Sequence, residues 1–313
     1  AIVVLPPDPA CLQALEKHAR WLARGKSSSL EAGTEPLLAV LSELGVERPP
    51  AGLAALRIWG QTDEPPGQWT AAADPVYFEA MLDHIRVHAV RSDELQEDEV
   101  RELVGLLNEK LPGGGHEFLR FGKQVYLQCA EPFRTSGYSA SSIDGLEPDR
   151  FLPAGADARD HDRLTGELQM LLHDAGINQV REQKSLMPVN SLWLWGGGTV
   201  AESGARHLPP LIGEDPLFRG FWKSCGDDSV QWPLRDPWSH VASRGFVSVV
   251  RPDDEIGQAL DGLLLHARQQ LVRGNVRQLT IFFGGRRVLR LRRPDLLAFW
   301  RKAPLKIHDG AGP

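Results

Sequence analysis

Cysteine is scarce: Cys11, Cys129 and Cys225 are all that 313 residues hold. They are odd in number and far apart, which excludes a disulfide framework and the paired spacing of a zinc knuckle. No apolar run approaches the ~20 residues that span a bilayer. The opening Ala1-Ile-Val-Val-Leu5 carries no basic flank and is too short for the apolar part of a signal peptide. Together these shortages point to a reducing, cytoplasmic setting with no membrane. Also missing are a G-x-S-x-G turn, a P-loop spacing around Gly25-Lys26, and a glycine after the acid that follows the first apolar run. Hydrophobic residues at 42% and charged residues at 24% exclude collagen-like, coiled-coil and wholly disordered chains.

The net charge of -6 is unevenly spread. Between Gly262 and His308 there are 11 basic residues and one acid, Asp295. Arg286, Arg287, Arg290, Arg292 and Arg293 form the densest part of this run. Such a patch suits an anionic ligand or nucleic acid, or it is a solvated face balancing the acidic remainder. Few aromatics interleave with these arginines, which argues against a stacking platform for single strands.

Hydrophobic spacing gives a coarse outline. Strands are expected over 2–5, 54–59, 85–89, 191–195 and 245–250. Hairpins are expected over 117–121 with 124–129, turning at Gly122-Lys123, and over 276–283 with 286–291, turning at Gly284-Gly285. Helices are expected over 9–24, 35–44, 97–111, 160–175, 216–225, 253–273 and 294–302, and residues 25–29 read as a loop. Pro, Gly and Ser concentrate at 60–75 and 134–157, the two boundary candidates. Strands alternate with helices at both ends of the chain. The reading is α/β: a sheet core of residues 1–72 and 158–313, with a smaller α+β domain of residues 73–157 inserted.

The best local candidate for chemistry is Val189-Asn-Ser-Leu-Trp-Leu-Trp-Gly-Gly-Gly198. A strand running into Gly196, Gly197 and Gly198 can turn consecutive backbone N–H groups toward a phosphate. Equally, the glycines serve a tight strand exit. Arg181 and Asn190 are the side-chain donors expected beside such an anion. His84 and His88 share a strand face but lie ~13 Å apart at 3.3 Å per residue, so they do not share a metal. His161 and His173 are three turns apart on one helix and do not either. No nucleophile–base pair can be read from the sequence.

Two blocks taken together resemble the archaeal-type cofactor-independent phosphoglycerate mutases. Residues 92–129, Ser92 to Val104 followed by Leu106 to Leu111 and Phe121 to Leu127, are similar to that family's insert domain. Residues 167–198 are similar to the stretch that leaves the insert and re-enters the sheet. They run from Glu167-Leu-Gln-Met-Leu-Leu-His173, through Ile177-Asn-Gln-Val-Arg181, to Pro188-Val-Asn-Ser-Leu-Trp-Leu-Trp-Gly-Gly-Gly198. With Ala73-Asp-Pro-Val76, the second block resembles a bacterial group of phosphoglycerate-mutase-like proteins more closely, over most of the chain. The resemblance implies an alkaline-phosphatase-like sheet core, and it places Asn178, Arg181, Asn190 and the glycine turn near the insert hinge and substrate cleft.

True mutases use two metal ions and a phosphorylated serine. Here their Asp-Gly after the first strand is replaced by Pro6-Pro-Asp8-Pro9, and the C-terminal stretch is Arg-rich with no Asp/His cluster. Their Tyr-Arg-His is Tyr126-Leu127-Gln128, and their Pro-His-Asp is Ser142-Ile143-Asp144. The expectation is a relative without metal or other cofactor, in a ligand-binding, regulatory or interaction role. Its partners would be a phosphorylated small molecule or a protein, with nucleic acid on the C-terminal arginines as a third reading. The rival reading is an active cofactor-independent mutase or a phosphatase.

Overall fold

The computed structural model describes residues 1–6, 8–47, 49, 51–111, 115–155, 158–200, 207–227, 229–230, 245–250, 256–284 and 286–297. The chain divides into two compact units, residues 1–47 with 204–313, and residues 48–203.

The first stretch of unit 1 runs β1 (Ile2–Val4), α1 (Pro9–Lys17), α2 (Ala19–Leu22), β2 (Lys26–Ser29) and α3 (Pro36–Leu44). Asp8 caps α1 by accepting from the Ala10 N–H at 2.8 Å, and Pro9 supplies a helical φ in the first turn. Gly45, at φ +68°, closes α3 in the left-handed conformation that favours glycine.

Unit 2 follows with α4 (Leu53–Trp59), β3 (Trp69–Ala80), β4 (Ile85–Ala89), α5 (Glu97–Lys110), β5 (His116–Phe121), β6 (Gln124–Cys129), α6 (Arg159–His173), α7 (Gly176–Gln183) and β7 (Ser191–Gly198). The chain then completes unit 1 with β8 (Leu211–Ile212), α8 (Pro216–Ser224), β9 (Ser229–Val230), β10 (Val247–Val249), α9 (Ile256–Arg273), β11 (Gln278–Phe283), β12 (Arg287–Arg292) and α10 (Arg293–Leu296).

In unit 1 the described strands form a seven-stranded sheet ordered β2-β12-β11-β1-β10-β8-β9. Strands β11, β1, β10, β8 and β9 are parallel, while β12 and β2 close one side antiparallel. The parallel strands are almost wholly apolar, as burial on both faces requires. Alternate residues Val3, Phe246, Leu279, Ile281, Leu289 and Leu291 share one core with Leu15 and Leu22 of α1 and α2 and Leu260, Leu264 and Leu271 of α9. No described helix is long and apolar enough to cross a membrane.

Unit 2 is built around β3. One edge of this strand pairs with β6 at Trp69–Ala72 and with β4 at Val76–Ala80, and the other pairs with β7. Beyond β6 lies β5, so the described five-stranded sheet is antiparallel throughout. One face carries Val125, Leu127, Leu192 and Leu194 against Val100, Leu103 and Leu107 of α5 and Leu164, Leu168 and Leu172 of α6. The α5 stripe is the one the 3.6-residue period predicts, and its start is fixed by a capping box between Gln96 and Glu99.

The structure is α/β, and both hairpins, the long helices and β4 stand near their expected places. Several expectations differ. The units divide at 47/48 and 203/204, where the sequence suggested 72/73 and 157/158. The reason is β7, which was expected in the main sheet and instead pairs with β3 from Ser191 to Gly198. Much of the presumed linker 60–75 belongs to β3. The presumed boundary 134–157 also lies inside unit 2. There Ser136 donates its N–H to the Leu194 carbonyl and accepts from the Gly196 N–H.

Residues 54–59 are helical, not a strand. Every residue from Leu53 to Ile58 is buried, and such a short run without a polar face shows no period to separate helix from strand. Residues 26–29 are not a loop but the exposed polar edge strand β2. The expected turn residue Gly285, the 253–255 helix start and the 298–302 helix end lie outside the described residues.

Candidate functional site

The expected anion site is not assembled. The Gly196 N–H donates to the Ser136 carbonyl at 2.8 Å, and the Gly197 N–H donates to Thr135 Oγ1 at 2.9 Å. The glycines instead allow close packing. A Cβ on Gly197 would lie 2.4 Å from the Trp69 ring, and one on Gly198 would lie 2.5 Å from the Gly52 nitrogen. Asn190 stands six residues or more before them on an extended strand, ~20 Å away at ~3.3 Å per residue, too far to share a phosphate.

The Asn190 carboxamide accepts from the Phe78 N–H at 2.8 Å and donates to the Phe78 carbonyl at 3.0 Å. Arg181 is 1% exposed. It donates through Nη1 to Glu99 on α5 and through Nε to the Met187 carbonyl. Its Nη2 has no partner among the described residues, and no accessible surface through which a ligand could reach it. Asn178 donates to the Leu172 and Val189 carbonyls and accepts from the Val189 N–H.

The described donor set does not fit a two-metal centre. In a parallel sheet ligands gather beyond the carboxyl ends of the strands. Of the described acids that follow β1 and β8 there, Asp8 and Asp215 cap helices, and Glu214 directly precedes Asp215. Asp215 accepts from the Leu217 and Phe218 N–H groups at the start of α8. Among the described residues no three His, Cys, Asp or Glu side chains gather closely enough to hold a metal. All three cysteines are buried, and burial pushes the Cys129 thiol up to about 11, away from reactivity.

The expected basic patch is not one surface. Along β12, Arg287 shares the side of Leu289 and Leu291, while Arg290 and Arg292 lie on the other. Arg290 grips Glu43 of α3 with Nε and Nη2 at 2.8–3.1 Å. Burial pushes the Glu43 carboxyl up, but the Arg290 bond and charge, with bonds from Thr280 and Gln278, outweigh it and hold the pKa below the usual value. Arg292 is bonded to Gln278. Arg286 and Arg293 flank the strand and are exposed.

A different constellation does assemble, on the face of the unit 2 sheet opposite α5 and α6. Arg57 of α4 donates to Asp74 of β3 at 2.8 Å and to the Tyr126 hydroxyl of β6 at 3.0 Å. Trp195 of β7 donates to the second Asp74 oxygen at 2.6 Å. The Arg57 guanidinium lies 4.7 Å from the Tyr126 ring centre and 5.2 Å from that of Trp195. Gln61 and Gln124 complete the ring of bonds around the Tyr126 hydroxyl.

Burial works against the Arg57 charge, and Asp74 with Tyr126 more than offsets it, so its pKa stands above the ordinary arginine value. Burial, ahead of every other cause, pushes Tyr126 up to about 12. Both groups therefore keep their protons at neutral pH. The network is a fixed set of dipoles tying α4, β3, β6 and β7 together, and not a proton-transfer relay. Sequence reasoning missed it because Arg57 and Tyr126 stand 69 residues apart with no shared motif.

No protein-family profile matches the chain, and a search of curated proteins finds no relative. Among solved structures the chain is similar to a cofactor-independent phosphoglycerate mutase from Thermoplasma acidophilum DSM 1728. The identity is 15% and the TM-score 0.37, over 93% of this chain and 90% of that one. It is also similar to the PH0037 protein of Pyrococcus horikoshii, at 14% identity and a TM-score of 0.41, over 93% of this chain and 86% of that one.

Proposed function

We propose that this chain is a distant phosphoglycerate-mutase-like protein that works by binding, in a regulatory or interaction role, and does not transfer phosphoryl groups. One observation carries the reading: the residues it shares with the mutases are engaged in holding unit 2 together. Asn178 and Asn190 serve backbone groups, Arg181 serves Glu99 and Met187, and Gly196 and Gly197 donate to Ser136 and Thr135. The replacement of Asp-Gly by Pro6-Pro-Asp8-Pro9, with Asp8 turned to capping α1, supports it further.

The test is calorimetric titration of 3-phosphoglycerate and of inorganic phosphate into the wild-type protein and Arg181→Lys. The reading expects no binding step that depends on Arg181. A phosphate ligand that binds the wild type and is lost in a folded Arg181→Lys protein would overturn it.

A further inference from the structure

Unit 2 carries a groove of about 460 Å³, lined by α5 on one side and by the junction of α6 and α7 on the other. Leu106 and Leu171 contribute apolar lining, and both pack against the core of that unit. Apolar surface continues past the lining. Met170, one turn before Asp174, is 75% exposed, and Val180, one turn after Gly176, is 49% exposed. Side chains four apart on a helix are neighbours on its surface, so both residues flank groove positions.

The charge of the groove has one sign. Glu102, Glu109 and Asp174 line it, all exposed, and no Lys, Arg or His does. The Glu102 carboxylate has no partner among the described residues. Glu109 is held by its exposed neighbour Lys110, and Asp174 lies 3.9 Å from exposed His173, pairs that exchange at little cost. Unit 2 as a whole holds 14 basic and 24 acidic residues. Glycine stands on both sides of the groove. Gly105 sits in the middle of α5, where glycine is a poor helix former, and a Cβ there would meet nothing within 4 Å. No internal contact therefore requires it, and the same holds for Gly176 at the start of α7. With no side chain at either position, another backbone can come close to both sides.

We propose that this groove receives a basic amphipathic helix of a partner protein. Glu102 and Glu109 are seven residues apart on α5, two turns or ~10.5 Å. A helix lying along α5 presents side chains seven apart at that same spacing, so two Lys or Arg of the incoming helix would meet the two carboxylates. An extended peptide repeats its same-face side chains every ~6.6 Å and does not match that spacing. The apolar residues of the helix, three and four apart, would cover Leu106, Leu171 and Met170. A methionine suits such a contact because its unbranched chain adapts to what it meets. The proposal rests on the interaction reading above and names the partner's chemistry. Its failure would leave the absence of phosphoryl transfer untouched.

The test is fluorescence anisotropy of the full chain with a labelled helical peptide of about 20 residues built from Leu, Lys and Ala, long enough to cover the groove. Its leucines lie on one face and its lysines border them. The control peptide has the same composition in an order that spreads the leucines around the helix, so it carries the same charge without the apolar face. The wild type should bind the first peptide at about 100 μM or tighter at low salt, and the control at least about tenfold more weakly. Glu102→Lys/Glu109→Lys should weaken the first peptide at least about tenfold through its charge. Gly105→Leu should weaken it comparably by filling the groove, while its urea unfolding free energy does not fall, because leucine is the better helix former. Circular dichroism checks that both variants are folded. No binding by the wild type up to about 1 mM, equal binding of the control peptide, or binding that either folded variant leaves unchanged would each overturn the proposal.

Discussion

Asn190 is bonded to both backbone groups of Phe78, accepting from its N–H at 2.8 Å and donating to its carbonyl at 3.0 Å. The carboxamide acts as one more peptide of β7, extending its pairing with β3 beyond Ser191. Asn178 does the same for Val189, and Asn108 of α5 for Phe118 at the outer edge of β5. A carboxamide suits this task because it offers one acceptor and two donors with the spacing of a peptide group. Of the three side chains the mutase resemblance singled out, Asn178, Arg181 and Asn190, two are accounted for in this way.

Removing such an amide leaves backbone groups without partners, at about 1–3 kcal/mol for each group that stays dry. Asn178 is the more buried and serves three groups. Asn178→Ala should cost about 2–3 kcal/mol and Asn190→Ala about 1–2 kcal/mol, measured as the change in urea unfolding free energy. Equal, negligible effects would contradict the assignment.

The Arg57–Asp74 pair makes a second prediction. Asp74 keeps 20% of its side chain exposed, so water compensates part of its charge when Arg57 is removed. Arg57→Met should therefore cost about 2–3 kcal/mol, below the full loss of a buried pair. In a double-mutant cycle with Asp74→Asn the coupling should be about 1 kcal/mol or more. Additive effects would mean the two side chains do not stabilise each other.

A third prediction concerns pH. His161 is buried at the start of α6, and burial lowers its pKa from the ordinary 6.5, with the Asp162 bond and charge working the other way. The unfolded chain then takes up the proton first as pH falls. Stability from this residue is level above the ordinary value and declines between it and the lowered folded value. The urea midpoint should drop between about pH 7.5 and about pH 5.5, and His161→Gln should show a smaller drop. An identical drop in both proteins would rule His161 out as the cause.

What the sequence made legible follows from range. Helix α5 and the β5–β6 hairpin were readable because Val100, Leu103 and Leu107 repeat at helical spacing and Gly122 marks the turn. Local period and turn chemistry carry that information. The placement of β7 was not readable: its apolar run fits any buried strand, and only pairing with β3 decides which sheet it joins. The same limit hid Arg181–Glu99 and Arg57–Tyr126, contacts between residues 82 and 69 apart. The glycine turn was seen as a feature, but its use for packing against Trp69 and Gly52 depends on elements far away in the chain.

The central claim is that this protein binds and does not transfer phosphoryl groups. Incubating the full chain with 3-phosphoglycerate and added Mn²⁺, Mg²⁺ or Zn²⁺, and following the phosphorus resonances by NMR, tests it most directly. The account predicts an unchanged 3-phosphoglycerate signal with every metal. Growth of 2-phosphoglycerate or free phosphate in proportion to protein concentration would contradict it.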